Sequence, residues 1–551
     1  MNKVKVKRFS KWMAAGLITT VMIAGCSGNN GGSGESNSGG GETNGNGQAA
    51  AGTEVGYPQS FSYWVELDGD SMVTMSNFNE VGAYKEFEKI TGTKVEFKHP
   101  GGDSNQVKEQ FNLLIASNNL PDVIQTGWLK VPRGPQNAIK EGTLLRLNDL
   151  IKEHAPNFQK FLDEHPDVAN MIVTDDGDIY GFPFIRMDDR QKVFFGPMMR
   201  ADWLQKVGLE APTTIEEWEK VLTAFRDGDP NENGQKDEIP FLLEVGQVRD
   251  GNANSLIGAW DILLQFFQVD GKVKYGEIEP EFENFVATMN DWYKKGLIDP
   301  DFAAVDGKLK DANVTGHKLG AFYGYSSGSL GKYMDLVKDH PTFELKPTLN
   351  PSREKGKLSA AGQISPTYPG DHVAAITTAA KHPEEIVKWF DLGYSEQGSM
   401  LYNFGVEGES YEMVDGAPKY KEIITKNPEG LAFKQAQARY MRSHFGGPFI
   451  QDVSGFLQQM KFPQQLEAIE IWGKAENKIQ MPPITLTAEE SSKLGSIMND
   501  INTYSEEMLV KFIMGVEPLE NLKNYADTLR SFGIEEAISI QQAALDRYNN
   551  R

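Results

Sequence analysis

The chain has 551 residues, with 55 Lys+Arg against 77 Asp+Glu for a formal net charge of −22, a single Cys, and 39% hydrophobic residues. Such a length buries more than one core, which excludes a peptide hormone, a small disulfide scaffold and a disordered tail. The acid excess leaves no basic field to neutralise phosphates, so nucleic acid is not an expected partner. One Cys removes disulfide frameworks, thiolate zinc clusters and CxxC redox chemistry.

Lys3, Lys5, Lys7, Arg8 and Lys11 precede an apolar run over residues 12–24 that is short for a membrane span and reads as a secretory leader. It ends at Ile23-Ala24-Gly25-Cys26, which resembles a bacterial lipobox, with Ile23 where Leu is commonest. The resemblance implies that the Cys26 thiol receives a diacylglyceryl chain and that residues 1–25 are removed as a lipoprotein signal peptide. Removal takes away five basic and no acidic residues, moving the net charge from −22 to −27. After Cys26, residues up to 56 are mostly Gly, Ser, Asn, Thr and Ala with almost nothing apolar, so that 26–56 is a flexible tether with a reach of roughly 30 Å. The expected location is the outer face of the cell membrane, held by lipid alone, as a monomer.

The folded body starts at residue 57. Phe61-Ser-Tyr-Trp-Val65 reads as a strand, residues 81–90 as a helix, and Thr93-Lys-Val-Glu-Phe97 as a second strand. A helix capped by Ser104 carries Val107, Phe111, Leu114 and Ile115 on one face, and Leu120-Pro-Asp-Val-Ile124 is the next short strand. Helices alternating with short apolar strands predict an α/β fold with a largely parallel sheet.

Asn112-Leu-Leu-Ile-Ala-Ser-Asn-Asn-Leu-Pro-Asp-Val-Ile124 resembles a signature of the extracellular solute-binding proteins of ABC importers. Ile139-Lys-Glu-Gly-Thr-Leu-Leu-Arg-Leu-Asn-Asp-Leu150, Asp176-Gly-Asp-Ile-Tyr-Gly-Phe-Pro183, and Arg200-Ala-Asp-Trp-Leu-Gln-Lys-Val-Gly-Leu209 with Pro212-Thr-Thr-Ile-Glu-Glu-Trp218 continue it in order. Phe512-Ile-Met-Gly-Val-Glu-Pro-Leu519 and Ala543-Ala-Leu-Asp-Arg-Tyr548 resemble the large oligosaccharide-binding lipoproteins of Gram-positive bacteria within that group. The resemblance implies a periplasmic-binding-protein-like fold of two α/β lobes with a ligand in the cleft between them. It places residues 57–187 and 343–395 in the first lobe and 188–342 and 396–551 in the second. The lobe crossings then fall near residues 185–194, 322–345 and 394–402. Hinge closure around an oligosaccharide would give the form that an ABC permease receives.

In the loop after residue 225, Asp229, Asn231, Asn233, Asp237 and Glu238 alternate oxygen-bearing side chains around Gly234, with Gln235 offering its backbone carbonyl. That spacing matches an EF-hand loop, in which Gly at position six allows the sharp bend. Pro240 stands where the rule wants a bidentate Glu, a role left to Asp237 and Glu238. A structural Ca²⁺ is the expected occupant, and the resemblance implies the same. An ion-free Asx turn is the plain alternative.

A saccharide cleft mixes aromatic faces with polar partners for hydroxyls. Trp218, Trp292 and Trp389 fall in helical register with apolar neighbours and read as core. Trp64 with Glu66, Trp128 and Trp260 stand at element ends beside polar residues, and Tyr180, Tyr323 and Tyr325 lie in segments expected between lobes. These, with Arg186 and Arg442, are the candidate ligand contacts. A field of −27 repels polyuronates unless Arg186, Arg190, Arg439 or Arg442 makes the cleft locally positive, so a neutral sugar is expected.

Gly324-Tyr-Ser-Ser-Gly328 fits the G-x-S-x-G nucleophile pattern around Ser326, which requires a strand, a turn, a helix and a histidine partner. No catalytic residue is assigned. A secreted glycoside hydrolase or polysaccharide lyase, and a sugar sensor without its own transporter, are the competing readings.

Overall fold

A computed structural model describes residues 55–131, 133–244, 246 and 256–551. The leader, Cys26 and the tether up to residue 54 lie outside the described residues. Two separate four-stranded sheets organise the body, beside a small antiparallel hairpin of β6 (Phe266–Val269) and β7 (Lys272–Tyr275). The first consists of β1 (Ser60–Val65), β2 (Lys94–Lys98), β3 (Val123–Thr126) and β10 (Val373–Ile376), in the order β10-β3-β1-β2. β1 runs parallel to β2 and β3, while β10 closes the edge antiparallel to β3. The second sheet holds β4 (Phe195–Arg200), β5 (Ile239–Leu242), β8 (Leu319–Tyr325) and β9 (Leu345–Pro347), in the order β5-β8-β4-β9. Only β5 with β8 is parallel there, and β4 is antiparallel to both β8 and β9. The expected largely parallel sheet is therefore a property of the first lobe alone.

Local sequence explains the helices of the first lobe. The helix Gly82–Thr91 buries Ala83, Tyr84 and Phe87 and stops at Gly92, whose φ of 71° ends it in the left-handed region. The helix Ser104–Ser117 is capped by Asp103, not by Ser104: the Asp103 carboxylate accepts from the backbone N–H of Asn105 and Gln106. In the second lobe the 27-residue helix Ala488–Met514 begins with a Thr487–Glu490 capping box and buries Ile497, Ile501, Leu509 and Phe512. Among described residues no helix is long and apolar enough to cross a membrane.

The lobe boundaries differ from the expectation in two places. β8 and β9 belong to the same sheet, so residues 322–345 make no crossing. The chain passes over between β9 and β10 instead, where Ser365 N–H donates to the Lys192 carbonyl (2.8 Å) and Arg186 N–H to that of Thr367 (3.0 Å). The helix Glu396–Phe404 packs in the first lobe, with Tyr402 against Phe87 and stacked on Phe449, so residues 394–402 are not a hinge either. The third crossing lies at Ile450, paired with Ile185, after which Trp472 enters the second lobe. A further connection between the two sheets runs from Phe182, bridged to β10, to Phe195 at the start of β4.

Candidate functional site

A cavity of about 750 Å³ opens where the three crossing segments meet the ends of the second sheet. Because β4 and β8 are antiparallel with Phe195 opposite Tyr325, the last residue of β8 and the residue before β4 arrive at the same edge. Tyr325 and Phe194 consequently lie nearly parallel, with ring centroids 6.2 Å apart at 13°, and Tyr325 is 50% exposed. The following turn of π-helical hydrogen bonding, Ser326–Gly331, continues the wall. Arg186, Gln191 and Gln451 come from the crossings, Gln459 and Gln465 from the second lobe, and Phe433, Lys434, His444 and Phe445 from the facing segment. Aromatic faces and amide groups thus share one space, which suits a ligand with apolar C–H faces and hydroxyl edges.

A smaller cavity of about 370 Å³ sits at the carboxyl ends of β1 and β3, lined by Trp64, Glu66, Phe111, Gln125, Asp371 and His372 among others. Crevices at that end of an α/β sheet are where ligands collect. Phe445 borders both cavities and meets the His372 ring edge-on at 4.5 Å. Burial pushes the His372 imidazole down to about 4, so it stays neutral near pH 7. Burial, then the Asp68 charge, raises the Glu66 carboxyl.

The predicted contacts divide. Trp64, Glu66, Arg186 and Tyr325 line a cavity. Trp128, Tyr180, Trp260 and Tyr323 line neither and are packed in the cores. Trp128 is 1% exposed, donates its indole N–H to the Ile124 carbonyl and packs edge-on against Phe111. Tyr180 shares a hydroxyl hydrogen bond with Tyr368, Trp260 packs against Phe285, and Tyr323 against Phe195. Their polar neighbours in sequence gave a misleading signal, because an element end is as often roofed by another segment as open. Trp218, Trp292 and Trp389 are core, as their helical register indicated.

Arg442 is likewise enclosed, 1% exposed and 3.9 Å from the Phe78 ring centre, with its guanidinium donating to Asp68 at 3.2 Å. Asp68 also accepts from Ser71 and meets His444 Nε2 at 3.1 Å. The His444, Arg442 and Ser71 contacts outweigh burial and hold the Asp68 carboxyl far below the usual carboxylate range. This cluster ties the end of β1 to residues 374 and 376 positions later. It thereby fixes His444 and Phe445 in the cavity wall.

The residues missed by sequence reading, Phe194, Phe433, Lys434, Phe445 and the four glutamines, come from segments far apart in the chain. Only Phe445 carried a local signal, an aromatic residue between His444 and Gly446 that is 37% exposed.

In the loop of residues 229–238, Asp229, Glu232 and Gly234 all have positive φ, which folds the chain tightly. The Asn231 and Asn233 amides donate to Asp237 Oδ1, at 3.1 and 2.8 Å, and Gly234 N–H donates to Asp229. Asp229 Oδ1 and Glu238 Oε1 are buried without a hydrogen-bond partner. Burial, then the charges of Asp229 and Asp237, raises the Glu238 carboxyl. Among described residues no group of three or more His, Cys, Asp and Glu is arranged to hold a metal, so any ion here depends on asparagine and backbone oxygens as well.

Ser326 follows β8 as the nucleophile pattern requires, but it is 2% exposed. Its backbone is held by the Phe194 carbonyl and by Gln465, and among described residues no histidine is bonded to it.

Comparison with known proteins agrees with this architecture. The chain is 26% identical over 504 residues to the fructooligosaccharide ABC transporter substrate-binding protein FusA of Streptococcus pneumoniae, covering 88% of this chain and 90% of the relative. The solved structure of the alginate-binding protein AlgQ2 without calcium ion superimposes with a TM-score of 0.69 at 26% identity, over 88% of this chain and 98% of AlgQ2. An EF-hand mutant of pneumococcal FusA in complex with fructo-nystose gives 0.65 at 22% identity, over 89% of this chain and 99% of that one, a likeness of fold. Residues 69–400 match the model of the bacterial extracellular solute-binding proteins, and with its two lobes and the cavity between them the chain belongs to that family.

Proposed function

We propose that the protein captures an oligosaccharide in the interlobe cavity and delivers it to an ABC permease, as a lipoprotein anchored through Cys26. The observation that carries the reading is the pairing of an open aromatic face, Tyr325 on Phe194, with Gln191, Gln451, Gln459 and Gln465 around one space of about 750 Å³. The sugar-binding names of relatives support it. A panel of oligosaccharides added to the full chain tests it. A true ligand at a hundred times its Kd stabilises the fold by about 2.7 kcal/mol, read as a rise in Tm, with no release of reducing ends. Turnover of the sugar would move the protein to the enzyme reading. Mass spectrometry of the membrane-bound protein, showing an acylated Cys26 at the N-terminus, tests the anchor.

We infer further that the loop of residues 229–238 holds a structural Ca²⁺. The unpartnered buried oxygens of Asp229 and Glu238 and the mutual repulsion of Asp229, Asp237 and Glu238 are what a cation would relieve. The asparagine side chains would turn their oxygens inward in place of their present bonds to Asp237. Chelation should lower Tm and added Ca²⁺ restore it, and Asp229→Ala should abolish the difference.

A further inference from the structure

The expectation of a neutral sugar rested on the charge of the whole chain, yet the wall of the large cavity has the opposite balance. It carries Arg186, Lys332, Lys434 and Lys461 against Asp70 and Asp335, within a protein that has 77 acidic and 55 basic residues. Low-dielectric walls focus such a local excess, so a cleft can attract anions that the protein as a whole repels.

The four arginines that bear on this question separate cleanly. Arg190 is satisfied by Asp188 through two bonds of 2.8 and 2.7 Å, Arg439 by Glu429 through two of 2.7 Å, and Arg442 by buried Asp68. Arg186 has no carboxylate partner among described residues. One of its terminal nitrogens donates to Ser365 (3.1 Å), its Nε is buried without a partner, and Phe184 and Phe194 flank it at 5.1 and 5.6 Å. Lys332 is taken by Asp311, and Lys461 stands 3.9 Å from Asp335. Lys434 forms no ion pair among described residues. It is open to solvent yet ringed by the cavity walls, and burial and the Arg186 charge lower its pKa while Asp70 and Asp68 act the other way.

Two cations that repel each other, with acidic charges (Asp371 for Arg186, Asp70 and Asp68 for Lys434) acting only at a distance and no ion pair among described residues, cost stability unless something binds between them. We propose that the captured oligosaccharide carries carboxylates, an oligouronate, with Arg186 and Lys434 as the groups that recognise them. This rests on the saccharide reading above and adds the ligand's charge to it. The planar guanidinium fork matches a carboxylate, and the neighbouring Tyr325 and Phe194 faces supply the apolar contact a sugar ring needs.

The test compares one oligogalacturonate with its methyl ester, two ligands of the same ring and length that differ in charge, by calorimetry on the full chain. The acid should bind roughly 10- to 100-fold tighter than the ester, with the advantage shrinking as salt rises. Lys434→Gln, an exposed substitution, and Arg186→Lys, which keeps the charge but loses the fork, should each cut that advantage about tenfold, with the unliganded Tm as the check on folding. Equal or tighter binding of the ester, or binding of neutral oligosaccharides alone, overturns the uronate assignment while leaving sugar capture intact. Binding of neither acid, ester nor any neutral oligosaccharide overturns sugar capture itself.

Discussion

Arg442, enclosed behind the cavity wall, and Arg186, half-buried in the wall itself, are treated in opposite ways. Arg442 is enclosed with Asp68, His444 and the Phe78 ring, so its charge is balanced by a partner of the same protein. Arg186 has aromatic flanks and a serine and, among described residues, no ion pair, with only the Asp371 charge acting on it through space. Burial pulls Arg186 down to about 10, which still leaves it charged near pH 7. A paired buried charge thus organises what stands behind the wall, whereas a half-buried cation without an ion pair in the wall is free to meet a ligand, as proposed above. Evolution commonly retains such costly groups where function needs them.

Breaking the paired cluster should have the largest effect. Asp68→Ala leaves Arg442 buried without its counter-ion and should lower the unfolding free energy by about 3–5 kcal/mol in denaturant titration. Since the folded-state pKa of Asp68 is depressed, its stabilisation is present above the ordinary carboxylate value and is lost as pH falls below it toward the folded value.

An intermediate effect belongs to His372, whose environment includes Asp371, Arg442 and Arg186. Its folded value of about 4 lies below the usual 6.5, so the unfolded chain takes up the proton first. Stability should fall as pH drops from about 6.5 to about 4, and His372→Asn should flatten that stretch of the pH profile by about 1–2 kcal/mol.

The smallest effect sharpens the contrast from the other side. Arg186→Met removes a charge that forms no ion pair among described residues, so the unfolding free energy should stay within about 1 kcal/mol of the parent. Arg442→Met, which strands Asp68, should cost roughly 3 kcal/mol by the same measurement.

Local pattern made much of this molecule legible. The strands near residues 61–65 and 93–97, the helix after residue 81 and the core tryptophans follow from side-chain periodicity, which is a property of neighbours in the chain. The cleft did not follow in the same way. Trp128 and Trp260 had the polar flanks of a binding residue and are core, while Lys434, Gln459 and Gln465 had no distinguishing surroundings and line the cavity.

The sequence by itself determined the family, the α/β class, the acidic field and the alternating oxygens of the loop at residues 229–238, because each is written in residue types at short spacing. Tertiary structure alone decided where the chain crosses between lobes, since strand pairing joins residues as distant as Thr126 and Val373. It also decided which arginine is left without an ion pair among described residues. Arg186, Arg190, Arg439 and Arg442 are equivalent as letters, and only the carboxylates folded against three of them tell the fourth apart.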